Sequence, residues 1–245
     1  MDAIPDLSPY KIPSIPSSIH YIPSFLSAQE ESTILTSLPQ NRWITLSHRR
    51  LQAHPSPLSK TNILLSSPLP PWLTDPILPR FTNLSLFASS PHGQPNHCLI
   101  NEYTPGQGIM PHEDGAAYFP CVATVSLGAA IILDVYEKRA DPSSGDTLSD
   151  YKSKPKWRIL QEPRSLLITT GEAYTALLHG ISETEVDEGL RPETVANWEL
   201  LQSETKERVK RDGGVSERGV RVSLTFRDVL KVSKAGVRIL GRGRT

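Results

Sequence analysis

The sequence predicts a mainly β protein of α+β type, with a jelly-roll core preceded by an extension that contains a helix. Three observations carry this reading. From residue 97 onward, short apolar or alternating runs recur with turn residues between them, the pattern of a double-sheet jelly roll or barrel. The best-marked helix start lies well ahead of those runs, at Ser27. The 245 residues are 38% hydrophobic and 21% charged, which suits one large core.

Taken in order, the chain opens with proline-crowded stretches at 5–23 and 55–79 and a Gly/Pro/Ser/Asn stretch at 89–96. These predict loops rather than helices. Between them, Ser27 followed by Ala28-Gln29-Glu30-Glu31 is an N-cap with acidic residues in the first turn. The helix should run to about Leu38, with Phe25 placed as a staple. Strands are expected at 97–103, 124–127, 130–136, 157–160, 165–169, 173–179 and 220–227. The apolar run 121–133 is too short to span a membrane and reads as a buried strand pair broken at Gly128. Two inserts at 137–156 and 183–218 are rich in charge, Ser and Gly and read as surface excursions. The chain therefore divides into an N-terminal extension over 1–94, a core domain over 95–229 and a basic tail over 230–245.

Bulk properties exclude several classes. Net charge is zero, so no global field draws the chain to nucleic acid or membrane. The start of the chain has neither a basic nor an apolar signal region. Two cysteines, Cys98 and Cys121, form no disulfide framework and read as core residues in a reducing compartment. An intracellular protein, nuclear or cytoplasmic, is expected, without membrane contact and as a monomer.

The chemistry centres on Pro111-His112-Glu113-Asp114-Gly115. On an extended strand, residues i and i+2 point the same way, so His112 and Asp114 can hold a metal ion from one side. Chance alone supplies on the order of 0.3 such patterns in a chain of this composition, so further ligands decide the matter. His179 ends an apolar run before Gly180, where a turn would expose it. It is either a third ligand or a strand-end histidine with ordinary partners. Two histidines and a carboxylate make the facial triad of non-haem Fe(II) oxygenases.

In the last strand, Arg221, Ser223, Thr225 and Arg227 alternate with Val222, Leu224 and Phe226. The polar face is either solvated or, being rich in donors and poor in acceptors, a pocket for a dicarboxylate. Asn101 and Tyr103 form another i, i+2 polar pair upstream of the metal pair.

The run Asn101-Glu102-Tyr103-Thr104-Pro105-Gly106-Gln107-Gly108-Ile109-Met110-Pro111-His112-Glu113-Asp114 resembles the core of the AlkB-like Fe(II)/2-oxoglutarate-dependent dioxygenases. So do Leu177-Leu178-His179-Gly180-Ile181 and Arg221-Val222-Ser223-Leu224-Thr225-Phe226-Arg227. The stretches Tyr21-Ile22-Pro23-Ser24-Phe25-Leu26-Ser27 and Leu46-Ser47-His48-Arg49-Arg50-Leu51-Gln52 are similar to the subfamily of the sixth eukaryotic homologue. The resemblance spans most of 20–229 and implies a double-stranded β-helix. It implies Fe(II) on His112, Asp114 and His179, with 2-oxoglutarate and dioxygen as co-substrates. It also implies that Arg221 pairs with the far carboxylate of 2-oxoglutarate, that Asn101, Tyr103 and Ser223 line the same pocket, and that Arg227 lies at the metal-proximal end. The implied reaction is oxidative demethylation of an alkylated base in single-stranded or flipped-out nucleic acid. The alternative is a protein or small-molecule substrate.

A segment before the core usually covers the substrate in this family. Here that position holds Trp43, which either stacks on a base or belongs to the core. It also holds His48, Arg49 and Arg50, which either reach phosphates or form a solvated edge. The basic residues at 206–211 are interleaved with acidic ones. Those of the tail are cleaner and either contact phosphates or are simply solvated.

Overall fold

The computed structural model describes residues 6–15, 18–138 and 154–233. The expectations for the 137–156 insert and the basic tail fall almost entirely outside these ranges. The strands are β1 Ile19–Ile22, β2 Ile44–Thr45, β3 Arg50–His54, β4 Leu64–Leu65, β5 His97–Tyr103, β6 Ile109–His112, β7 Tyr118–Gly128 and β8 Ile131–Glu137. They continue as β9 Trp157–Gln161, β10 Leu166–Thr170, β11 Leu177–Ile181, β12 Val186–Asp187, β13 Ser216–Glu217, β14 Arg221–Val229 and β15 Val232–Ser233. The helices are α1 Ala28–Ser37, α2 Pro71–Thr74, α3 Ile77–Asn83, α4 Gly171–Ala176 and α5 Ser203–Arg211.

Two antiparallel sheets face each other, one of seven strands (β1-β10-β7-β14-β5-β3-β2) and one of four (β6-β11-β8-β9). The fold is the expected mainly β jelly roll. The N-terminal extension supplies three strands of the larger sheet, β1, β2 and β3, and its helices pack on that sheet's outer face.

β14 lies between β5 and β7, and all nine of its residues are buried. Val222, Leu224 and Phe226 face the helices. There Phe226 meets the edge of Phe81 at 5.3 Å, and Phe81 stacks on Phe25 at 5.8 Å. Arg221, Ser223, Thr225 and Arg227 face the space between the sheets, so their side of the strand is buried rather than solvated. α1 starts as expected. Ser27 Oγ accepts from the Glu30 N–H at 3.2 Å, and Glu30 accepts from the Ser27 N–H at 2.8 Å.

Four expectations need correction. The stretch 55–79 is not free of helix: α2 lies within it and α3 starts in it. Pro71 opens α2 at a position where a missing N–H costs nothing. The first proline-rich stretch contains β1. The strand expected at 173–179 begins only at Leu177. Gly171, at φ +51°, ends β10 and residues 171–176 coil into α4. Finally, the 183–218 insert is not a surface excursion. Leu190, Val195, Trp198, Leu201 and Val209 form a core with Ile132, Ile159 and Leu160. The Asn197 amide brackets the Leu160 backbone by two bonds of 2.9 Å, and a buried Arg218–Asp187 pair at 2.6 Å closes the segment.

Truncating Trp198 to Ala should therefore destabilise the protein by about 3–5 kcal/mol. Urea unfolding would show this, and a change below about 0.5 kcal/mol, typical of a surface site, would contradict the assignment. A second prediction concerns pH. Burial, with Arg42 and Arg227 adding to it, lowers His54 and His97 from 6.5 to about 4. Between those values the unfolded chain binds protons that the folded one does not, so stability should fall as pH drops from 6.5 towards 4. The slope of the urea midpoint over that window should flatten in His54→Gln/His97→Gln. An unchanged slope would contradict it.

Candidate active site

His112, the last residue of β6, pairs directly with His179 on β11, and their rings are 4.5 Å apart. Gly180 makes this close approach possible. A Cβ there would sit 3.0 Å from the Ile109 carbonyl oxygen and the Pro111 nitrogen. His179 is thus in mid-strand rather than at the strand-end turn expected. Asp114 lies beyond the end of β6, so strand alternation places His112 but not Asp114. The turn at Gly115, φ +88°, follows it, and Tyr174 of α4 donates to the Gly115 carbonyl.

One ligand atom each from His112, Asp114 and His179 lies within 4.8 Å of the others. The Nδ1 of His112 is 2.9 Å from the Met110 carbonyl oxygen. A carbonyl can only accept, so Nδ1 carries a hydrogen and Nε2 is the atom that can serve as a metal ligand. Burial lowers His179 to about 4 against the pull of Asp114, so its imidazole is neutral at pH 7. Burial alone would raise the Asp114 carboxyl, but Arg227 and the two imidazoles outweigh it and hold the carboxyl low. Two imidazoles and a carboxylate held ionised are the donor set a divalent ion needs.

Register carries the rest of the site. Tyr103 faces Arg221, Asn101 faces Ser223 and His97 faces Arg227 across the β5–β14 pair. Arg227 pairs with Asp114, and its guanidinium lies 4.8 Å from the Tyr118 ring centre. Arg221 is 2% exposed, and burial lowers it to about 10. Its Nη2 donates to Ser126 Oγ at 2.9 Å and to Gln161 Oε1, and its Nε has no partner among the described residues. No carboxylate pairs with it among the described residues. A buried guanidinium answered only by neutral oxygens is what an anionic ligand would complete.

These groups open into one cavity of about 300 Å³ between the sheets. It is lined by His112, Asp114, His179, Asn101, Tyr103, Arg221, Ser223 and Arg227, with Arg49 as the remaining expected residue. Arg49 Nε donates to Asn101 Oδ1 at 3.1 Å.

Trp43, His48 and Arg50 lie outside the lining. Trp43 packs against the helix-side core, with the Arg50 guanidinium 4.5 Å from its ring centre. Arg50 is held by Glu102 through bonds of 2.5 and 2.8 Å, because its register partner is Glu102 on the outer face of β5. His48 pairs with Glu183 at 3.0 Å on the surface. The reading from sequence missed Ser126, Gln161 and Tyr174. Gln161 sits one residue past the strand expected at 157–160, where its alternation with Ile159 was the available signal.

The sequence model of the 2OG-Fe(II) oxygenase superfamily matches residues 18–227. The protein named "Probable RNA/DNA demethylase ALKBH6" in Danio rerio is 36% identical over 240 residues, covering 95% of this chain and 94% of that one. The "tRNA (carboxymethyluridine(34)-5-O)-methyltransferase ALKBH8" of Macaca fascicularis is 29% identical over 226 residues. That match covers 88% of this chain and 31% of that protein's length. The solved structure of OsALKBH1, 16% identical, shares the fold at a TM-score of 0.50, covering 87% of this chain and 99% of that one. The chain belongs to the 2OG-Fe(II) oxygenase superfamily and is an AlkB-like oxidoreductase that uses Fe(II), 2-oxoglutarate and dioxygen.

Proposed function

We propose that this oxygenase removes methyl groups from alkylated bases of single-stranded or flipped-out nucleic acid. The observation that carries the site is that the His/Asp/His cluster and the unanswered Arg221 open into the same cavity. The demethylase name of the Danio rerio relative supports the substrate class. A cavity of about 300 Å³ suits one extruded base and not a duplex.

In this reading His112, Asp114 and His179 hold Fe(II) from one side. Arg221 takes the far carboxylate of 2-oxoglutarate, with Tyr103, Asn101 and Ser223 bonding along its length. Arg227 fixes Asp114 and faces the metal-proximal end. Bound iron with 2-oxoglutarate and dioxygen supplies the oxidation of the N-methyl carbon, which leaves as formaldehyde while the co-substrate leaves as succinate and carbon dioxide. The two sheets keep water from this chemistry by enclosing it. In this reading Arg49, at the cavity wall, and His48, on the neighbouring turn, meet phosphates. Trp43 and Arg50 brace that turn from behind.

Anaerobic Fe(II) and 2-oxoglutarate should produce a weak visible charge-transfer band, which His112→Ala and Arg221→Ala should abolish or reduce at least tenfold. With methylated single-stranded oligonucleotides, formaldehyde should appear in step with succinate, and binding should weaken as salt rises. No formaldehyde from any methylated oligonucleotide, with the band intact, would overturn the substrate and leave the metal site standing.

A further inference from the structure

One buried group close to the site has no part in the chemistry described so far. His97 opens β5, is 2% exposed, and faces Arg227 directly across the β5–β14 pair. Residues directly opposite in an antiparallel pair share a face of the sheet, so His97 points to the same side as the arginine that holds Asp114. Neither of its ring nitrogens has a side-chain hydrogen-bond partner among the described residues, the Ser56 backbone alone acting on the ring, and Arg227 Nε has no partner there. Tyr118 connects the two: its ring is 6.1 Å from the His97 ring and 4.8 Å from the Arg227 guanidinium carbon.

The chemistry of these bare atoms is complementary. Arg227 Nε carries a hydrogen and can only donate. A neutral imidazole has one donor and one acceptor nitrogen. Burial and the charge of Arg227 itself both keep His97 neutral. Ser56, whose hydroxyl is also buried without a partner and whose backbone acts on His97, gives the imidazole's own N–H somewhere to go. Buried polar atoms left bare cost free energy, so such groups pair directly or through one shared water.

We propose that His97 is a positioning residue of the iron centre, its neutral imidazole accepting from Arg227 Nε and thereby aiming that guanidinium at Asp114. The inference rests on the reading of His112, Asp114 and His179 as the iron ligands. His97 touches neither iron nor co-substrate. It acts through Arg227, as the partner of a ligand's partner.

The test is an anaerobic Fe(II) titration of the full chain at saturating 2-oxoglutarate, read by the visible band. His97→Leu removes the acceptor at similar volume, and the half-saturating Fe(II) concentration should rise about tenfold, the low end of what losing a ligand's hydrogen-bond partner costs. His97→Gln restores an acceptor and should stay within about twofold of the unaltered protein. Thermal midpoints are measured alongside. An imidazole that only fills space would show the same iron affinity in both variants, and equal values, weakened or not, overturn the proposal. If His97→Leu does not fold, ¹⁵N spectra of the unaltered protein decide. His97 must then show one protonated and one acceptor nitrogen at pH 7, and a doubly protonated ring overturns the proposal. Absence of the band in the unaltered protein would instead sink the iron-site reading itself.

Discussion

Two buried guanidinium groups on one face of β14 set the demands that the rest of the site meets. Taking a charge out of water costs several kcal/mol unless partners replace the solvent. Arg227 is answered by Asp114, its side chain 8% exposed and that of Asp114 7%. Among the described residues Arg221 is answered only by Ser126, Gln161 and the Tyr103 ring. In the proposed reading the paired arginine organises the protein, whereas the one left short of negative charge is kept for a ligand. Both follow from one alternation of side chains along a strand whose other face, Val222, Leu224 and Phe226, is anchored under the helices. A register slip of one residue would send the arginines into that apolar core and the apolar residues into the cavity.

The smaller sheet contributes the opposite wall and two of the three proposed metal ligands, His112 and His179. β6 and β11 must approach closely for His112 and His179 to share one ion. That approach depends on Gly180 and on Gly108, where a Cβ would stand 2.2 Å from the Ile181 carbonyl oxygen. The Met110 carbonyl fixes the His112 tautomer. α4 then reaches across through Tyr174 to the loop that carries Asp114. His112 and Asp114 are therefore held by something other than the metal, which favours a site organised before iron arrives.

Much of this was legible before any coordinates. The Ser27 cap, the strands from 97 onward other than the one expected at 173–179, and the alternating face of β14 each rest on a local pattern with one physical meaning, and each is present. What escaped depends on contacts distant in sequence. Trp198, Leu201 and Val209 sit among charges in a segment that looks like solvated surface, and only their docking on β9 makes them core. The run 173–179 reads as one strand, yet beyond Gly171, at φ +51°, its first four residues coil into α4. Trp43 and Arg50 looked available to a base and to phosphate. Glu102, fifty-two residues further on in the chain, occupies Arg50 instead. His179 lies in mid-strand rather than at the turn that Gly180 suggests, because β11 continues through Gly180 to Ile181.

The central claim is that Arg221 is buried to receive a second carboxylate. The most direct measurement compares 2-oxoglutarate with 2-oxopentanoate, which keeps the keto acid and lacks the far carboxylate, by anaerobic titration of the iron-loaded protein. Loss of a charge-assisted pair at a buried guanidinium should weaken binding on the order of 100-fold, and Arg221→Ala should remove most of that discrimination. Equal affinity for the two keto acids in the unaltered protein would contradict the account.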